Sequence, residues 1–218
     1  MALKDKNKNK TINPYRERWL HMISITALMD NKPTEHKALI AEHGLSLYVE
    51  YNGRRILFDC GSGANPQHNA HRLGVDLKNL DAVILSHSHY DHAAGFRDLT
   101  ENGLGSSQLY TGPNFFEPKY AQNGVRYTNL ACGFEKNFLE DHQISHCEVR
   151  GQEEIYPGVW LISGFPRIHA FETIPERFVR RTENGFVVDD FGYGGNRDPC
   201  FLSDFFDRHG GSTLLKAC

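Results

Sequence analysis

Within the stretch LSHSHYDHAAG, residues 85–95, three histidines and an aspartate occupy four of six consecutive positions: His87, His89, Asp91 and His92. Imidazole and carboxylate are ligand types that suit zinc, with manganese and iron as competitors. His87 and His89, two residues apart, could chelate one cation. Asp91 and His92, adjacent to each other, could address a second one close by. With twelve histidines and thirteen aspartates in 218 residues, the pattern H-x-H-x-D-H is expected by chance about 0.002 times in such a chain. Scattered surface histidines are therefore a poor account of it.

The elements that must hold this cluster are legible around it. The run DAVIL is continuously apolar and ends at the cluster, as a buried strand would. The ligand-type residues then fall on the loop past its end, and DHAAGFRDLTEN starts a helix with Asp91 near its N-terminus. Upstream, LSLYVEY and RRILFDC are strand-like runs joined by Asn52-Gly53, a strong hairpin signal. The second run ends at Asp59 and a Gly-Ser-Gly loop. HMISITALM is expected to be a first strand, and the segment from Asp30 to Gly44 a connecting loop with a helical turn. NPQHNAHRL is expected to be a helix ending at Gly74, and SSQLYTG and GVWLISGFP further strands. NFFEPKYAQNGVRYTN shows no clear pattern. Alternating strands and helices indicate an α/β layered domain.

Composition bounds the rest. The length suits one domain with a real core. At 39% hydrophobic and 23% charged residues the chain reads as globular and soluble. A formal net charge of -3 argues against a dedicated nucleic-acid partner. Residues 1–20 are polar and lysine-rich and are expected to form a flexible tail ahead of a domain over 21–218. No apolar segment follows them as in a secretory signal, and the stretch from Ile23 to Met29 is too short to span a bilayer. Five cysteines without a C-x-x-C pair suggest free thiols in a reducing cytoplasm. His21, His36, His68, His71 and His209 sit in polar surroundings and are expected to be solvated.

HSHYDH resembles the H-x-H-x-D-H signature of the metallo-β-lactamase superfamily. ILFDCGSG resembles that superfamily's first motif, whose aspartate matches Asp59. EHGLSLYVEYNGRRILFDCG, LSHSHYDHAAG and GVWLISGFPR…FE together resemble the branch named after dihydropterin/ribofuranosylaminobenzene-5′-phosphate synthase, over about residues 22–190. The resemblance implies an αββα sandwich with the metal site at one edge of its two sheets. It implies two divalent metal ions, zinc first and manganese or iron as alternatives. His87 and His89 would help bind one, and Asp91 and His92 the other. Asp59 would orient the loop through hydrogen bonds, in keeping with the need of ligand histidines for a partner that fixes the tautomer. The implied chemistry is hydrolysis or transfer by a metal-activated water, oriented by Asp91, on an ester or a phosphate-containing, pterin-related small molecule. By the same resemblance His43, Arg167 and Glu172 are candidate substrate contacts; His169, which the branch pattern does not demand, is a candidate ligand or substrate contact because a polar residue after a strand often lines a site.

The C-terminal part departs from the pattern. The branch is expected to continue after VVDD with an apolar strand and a Gly-Cys-Ser-His turn, and no Cys-Ser-His is present. His209 is a poor stand-in. His142, His146 and His169 are the other candidates for a later ligand, and of these His146, on a strand, reads better as a structural histidine. Glycines accumulate after about residue 190, so the sandwich is expected to be incomplete there, as in a truncated or frame-shifted form. The alternative reading is a weakly or non-catalytic metal-binding relative. A structural zinc protein is disfavoured because no cysteine cluster exists.

Overall fold

The computed structural model describes residues 23–35, 37–164, 173 and 175–189, and the backbone of a strand at 213–216. Its strands are β1 (Ile23–Met29), β2 (Ser46–Tyr51), β3 (Arg54–Phe58), β4 (Ala82–Leu85), β5 (Gln108–Thr111), β6 (Lys119–Asn123), β7 (Arg126–Asn129), β8 (Ser145–Glu148), β9 (Gln152–Tyr156), β10 (Val159–Ile162), β11 (Phe178–Thr182), β12 (Gly185–Val188) and β13 (Thr213–Lys216). The helices are α1 (Asn65–Leu73), α2 (Tyr90–Ala93), α3 (Gly95–Glu101) and α4 (Lys136–Asp141).

The expected hairpin forms as read. β2 and β3 pair antiparallel with Tyr51 opposite Arg54, and Asn52 and Gly53 take the positive φ values, 49° and 77°, that a two-residue turn matching the strand twist requires. β1 adds on the outer side of β2, while β4, β5 and β8 follow β3 in parallel, giving a six-stranded sheet in the order β1-β2-β3-β4-β5-β8. β4 is buried along its whole length, which explains the unbroken apolar run. Successive side chains of a strand face opposite sides. Accordingly Tyr48, Leu57, Val83 and Leu85 join one core with Ala70, Phe96, Leu99 and Phe138 from the helices. Val49, Ile56, Phe58 and Ile84 join a second core with Val159 and Leu161 of β10. β10 belongs to a three-stranded sheet, β13-β10-β9.

Helices, large sheet and second sheet are the first three layers of the expected αββα sandwich. The fourth layer, helices on the outer face of the second sheet, is absent among the described residues. The segment from Asp30 to Gly44 carries a turn closed by the Lys37 amide on the Thr34 carbonyl, and no helix among its described residues. The patternless segment proves to be the hairpin β6–β7. It pairs with the hairpin β11–β12 in a small sheet ordered β12-β11-β6-β7. Both outer strands of this sheet are exposed along their length, so no apolar alternation marks them.

His68 and His71 are exposed on α1, as expected of solvated residues. His21, His36 and His209 lie outside the described residues. Cys60, Cys132 and Cys147 are free thiols. No described helix is long and apolar enough to cross a membrane.

Candidate metal centre

The site gathers at the C-terminal ends of β3 and β4, the end at which open parallel sheets present their loops to ligands. Three backbone segments are stitched together there. The Cys60 amide donates to the His92 carbonyl at 2.7 Å, the Gly61 amide to Leu45 at 2.8 Å, the Gly95 amide to Gly61 at 3.0 Å and the Leu45 amide to Asp91 at 3.2 Å. Such close approach leaves no room for side chains. A Cβ at Gly95 would overlap the carbonyl of Cys60, and one at Gly44, whose φ is 142°, would overlap the carbonyl of Asp91.

Asp59 follows β3 with a φ of 56°, a left-handed conformation that aspartate tolerates better than most residues. It is fully buried. One carboxylate oxygen accepts the Ser86 amide at 2.8 Å. The other accepts the Ser86 hydroxyl at 2.8 Å and is 2.7 Å from Nδ1 of His92. Ser86 Oγ is in turn 3.0 Å from Nδ1 of His87. Since the serine proton goes to Asp59, the same oxygen is left to accept from His87 Nδ1–H. Both imidazoles are thereby set in the tautomer whose Nε2 carries the lone pair. His89 is held the other way round: its Nε2 is 3.0 Å from a carboxylate oxygen of Asp189, a residue with no solvent exposure. Asp189 is the first aspartate of the run FVVDD, one hundred positions away, and only its place after an apolar run could have signalled it.

The rings of His87 and His89 lie 4.8 Å apart and those of His87 and His92 4.3 Å. Burial, followed by the neighbouring charges of His92, His89 and Lys119, lowers the His87 pKa well below 6.5 and keeps that ring neutral. For His92 burial also acts downward, but the Asp59 hydrogen bond and the charges of Asp59 and Asp91 together outweigh it and leave the pKa raised. Burial raises the Asp59 pKa against the lowering effect of its hydrogen bonds with His92 and Ser86. Asp91 turns outward, with one carboxylate oxygen 3.2 Å from Nε2 of His43 and 3.6 Å from Nε2 of His92. His43 therefore sits at the rim of the site, its side chain 66% exposed.

Among the described residues, no three His, Cys, Asp or Glu side chains bring their ligand atoms to one point. The donor set nevertheless fits a divalent ion in chemistry: imidazoles whose orientation is fixed by hydrogen bonds, and a carboxylate beside them. Cys60 is not part of that set, because burial, then the charge of Asp59, pushes its thiol well above 9.0. His146 contacts Thr111 through Nε2 at 2.8 Å, the structural role expected of it, and His142, a candidate later ligand, is 2.9 Å from the Phe138 carbonyl through Nδ1. Arg167, His169 and Glu172, with His209 and the glycine-rich C-terminal stretch, lie outside the described residues.

Sequence reading also missed the wall facing His87. A half-open cleft there is lined by Ser88, Asn114, Lys119, Arg180 and Asp189. Lys119 is buried, and its pKa is lowered by that burial against the pull of Asp189 and Glu117.

Residues 40–103 match the family model described as the metallo-beta-lactamase superfamily. The uncharacterized protein MJ0448 of Methanocaldococcus jannaschii is 37% identical over 106 residues, 49% of this chain and 40% of that protein. The 7,8-dihydropterin-6-methyl-4-(beta-D-ribofuranosyl)-aminobenzene-5′-phosphate synthase of the same organism is 33% identical over 179 residues, 77% of this chain and 60% of that enzyme. The chain thus spans 40% and 60% of the lengths of these relatives. Among solved structures, Tm1679, a metal-dependent hydrolase of the β-lactamase superfamily, superposes with a TM-score of 0.58 at 25% identity, covering 78% of this chain and 57% of that one.

Proposed function

The chain belongs to the metallo-β-lactamase superfamily, and from that premise we propose that it is a metal-dependent hydrolase or transferase acting on an ester or phosphate-containing small molecule. The likeness to a synthase of a pterin phosphate supports a pterin-related substrate. The observation that carries the reading is the hydrogen-bond set centred on Asp59. A fully buried carboxylate that fixes His92 directly, and His87 through Ser86, has its explanation in presenting two ring nitrogens as ligands.

His87, His89, Asp91 and His92 would hold two divalent ions, with zinc the first choice for this donor set. The ions would supply a hydroxide at near-neutral pH and polarise the substrate oxygen. His87 and His92 present Nε2, while His89, with Nε2 engaged by Asp189, presents Nδ1. Asp91 sits at the first turn of α2, where its carboxylate orients the attacking water and accepts its proton. Asp59 acts behind the imidazoles and does not touch substrate. Arg167, His169 and Glu172 remain proposed substrate contacts with His43.

The test is metal analysis by mass spectrometry on protein purified without chelators. Roughly two divalent ions per chain are expected, with most of the metal lost in His87→Ala and His89→Ala while circular dichroism stays unchanged. A metal content near zero in the unaltered chain would instead establish a weakly or non-catalytic relative. The absence of a converged ligand set among the described residues is the observation that favours that second reading.

A further inference from the structure

His43 stands at the rim of the candidate metal centre, with Nε2 3.2 Å from an Asp91 carboxylate oxygen and its ring 6.4 Å from that of Tyr90. Backbone pairing does not hold it there. No backbone-to-backbone hydrogen bond joins residues 38–44 to the rest of the described protein, and none of residues 37–43 is buried. A segment of that kind has little local stability of its own. Its attachments are side chains. Asn69 of α1 is 1% exposed. Its Nδ2 donates to the Leu28 carbonyl, near the end of β1, at 2.7 Å and to the Ile40 carbonyl at 2.8 Å, while its Oδ1 accepts the Ile40 amide at 2.9 Å. One buried amide thereby gives Ile40 the pair of bonds that a neighbouring strand would give it, and commits both of its own donors. Ile40 is itself 37% exposed, so apolar burial does not account for its place. Two residues on, Glu42 accepts from Ser62 Oγ at 3.0 Å through one carboxylate oxygen and from Asn65 Nδ2 through the other. Asn65 is the first residue of α1. The Gly44 amide closes the span by donating to Asn31 Oδ1 at 2.8 Å.

We propose that Asn69 and Glu42 are positioning residues, which clamp residues 40–42 to α1 and so set where His43 meets the substrate. The proposal rests on the metal-dependent reading, in which His43 is a substrate contact, and adds the two side chains that place it in advance. A contact residue already held in position does not draw on binding free energy for its own ordering.

Two measurements on Asn69→Ala and Glu42→Ala test it. The first is the proton contact between the His43 and Tyr90 rings, read by nuclear magnetic resonance on metal-free protein. It is expected in the unaltered chain and is expected to be lost in both variants. The second is steady-state turnover of bis(4-nitrophenyl) phosphate, a chromogenic diester, by zinc-loaded protein. KM is expected to rise about 5-fold, the loss of one hydrogen bond to substrate, with kcat nearly unchanged. Combining either variant with His43→Ala should raise KM no further than His43→Ala alone, because residues that act through a common partner are not additive. A lower melting temperature with the ring contact and KM both unmoved makes the clamp merely structural and overturns the proposal. So does a KM rise that persists in full on the His43→Ala background, or the absence of the ring contact from the unaltered chain. If Asn69→Ala does not fold, Glu42→Ala, at a half-buried side chain, decides by the same readings. Loss of the ring contact in a protein that takes up no zinc and turns over no diester leaves the clamp standing and removes the metal-dependent reading. Zinc uptake and turnover with the ring contact and KM unmoved in the variants does the reverse.

Discussion

Asp59, after β3, and His92, in α2, lie thirty-three residues apart, yet a carboxylate oxygen of one lies 2.7 Å from Nδ1 of the other. The contact exists because β3 and β4 run parallel and side by side, with Phe58 opposite Ile84, so that the loops leaving them meet. The same oxygen takes the Ser86 hydroxyl at 2.8 Å, and one buried group thereby governs two imidazoles. Asp59→Ala is expected to weaken metal binding about 10–100-fold without abolishing it, the usual cost of losing a partner that orients ligands. Competition against a chromogenic chelator measures it. Affinity equal to that of the unaltered chain would reduce Asp59 to a strand-end residue.

Gly95→Ala tests the stitching of the loops. The new methyl would meet the carbonyls of Cys60 and Gly63, which are backbone and cannot swing away. The helix α3 must shift or the loop carrying Asp59 must move. A loss of about 1–3 kcal/mol is expected, as for other overpacked sites. Metal affinity should fall with it, since the Gly95–Gly61 hydrogen bond aligns the loop of Asp59 with the segment that carries the proposed ligands. Urea denaturation of metal-free protein gives the first quantity. A variant as stable as the parent would show that the loops are looser than their geometry indicates.

How much of this could be read from the chain follows from where the apolar pattern is strong. The β2–β3 hairpin was legible because Asn52-Gly53 encodes its turn. β4 was legible because both of its faces are buried, which forces an unbroken apolar run. The cluster His87, His89, Asp91, His92 declared itself because the candidate ligands are neighbours in sequence. The sheet of β6, β7, β11 and β12 was not legible, since its outer strands are solvent-exposed and held by pairing and by ring contacts such as Tyr127 on Phe186 at 4.6 Å. Asp189 was passed over for a related reason: it reaches His89 across one hundred positions, and no local period encodes such a contact. Ser86 and Ser88 are small polar residues of a kind common in loops, and only burial distinguishes them.

Tyr48 sets an alkaline limit that does not involve the candidate metal centre. Its phenol is pushed up to about 12, by burial first and then by the hydrogen bond to Glu50 and that residue's charge. In the unfolded chain the group ionises near 10.0, while in the fold it keeps its proton to about 12. A raised folded value contributes stability that is fully present below the unfolded pKa and is lost as pH rises through the folded one. About 2–3 kcal/mol should therefore disappear across that window. Tyr48→Phe is expected to cost about 1 kcal/mol near neutral pH, the worth of the lost hydrogen bond, and to flatten the alkaline decline. Denaturant midpoints compared at about pH 9 and about pH 11 read the difference; Tyr110 and Tyr156, also raised by burial, supply the slope that remains. An unchanged slope in the variant would show that Tyr48 ionises in the fold as it does in water.

His43 offers the sharpest contrast with Asp59. Both touch a residue of the H-x-H-x-D-H loop at hydrogen-bonding distance, His43 through Asp91 at 3.2 Å and Asp59 through His92 at 2.7 Å. Their surroundings decide what each contact is worth. Asp59 is sealed from solvent, whereas the His43 side chain is 66% exposed. A contact with one partner this exposed is worth about 0–1 kcal/mol because water competes for the His43 ring. A ligand carboxylate held only that firmly turns to a metal at little cost. His43→Ala is therefore expected to change metal affinity by less than about 5-fold, the equivalent of 1 kcal/mol, and to leave the melting temperature of the metal-free protein nearly unaltered. If His43 touches substrate from the rim, as its position suits it to do, the same variant should raise KM while metal content stays constant. Parallel measurement of metal stoichiometry and steady-state kinetics separates the two effects. Loss of metal on the scale of Asp59→Ala would place His43 among the groups that hold the ions, and the exposed contact with Asp91 would then have to persist in the metal-bound protein.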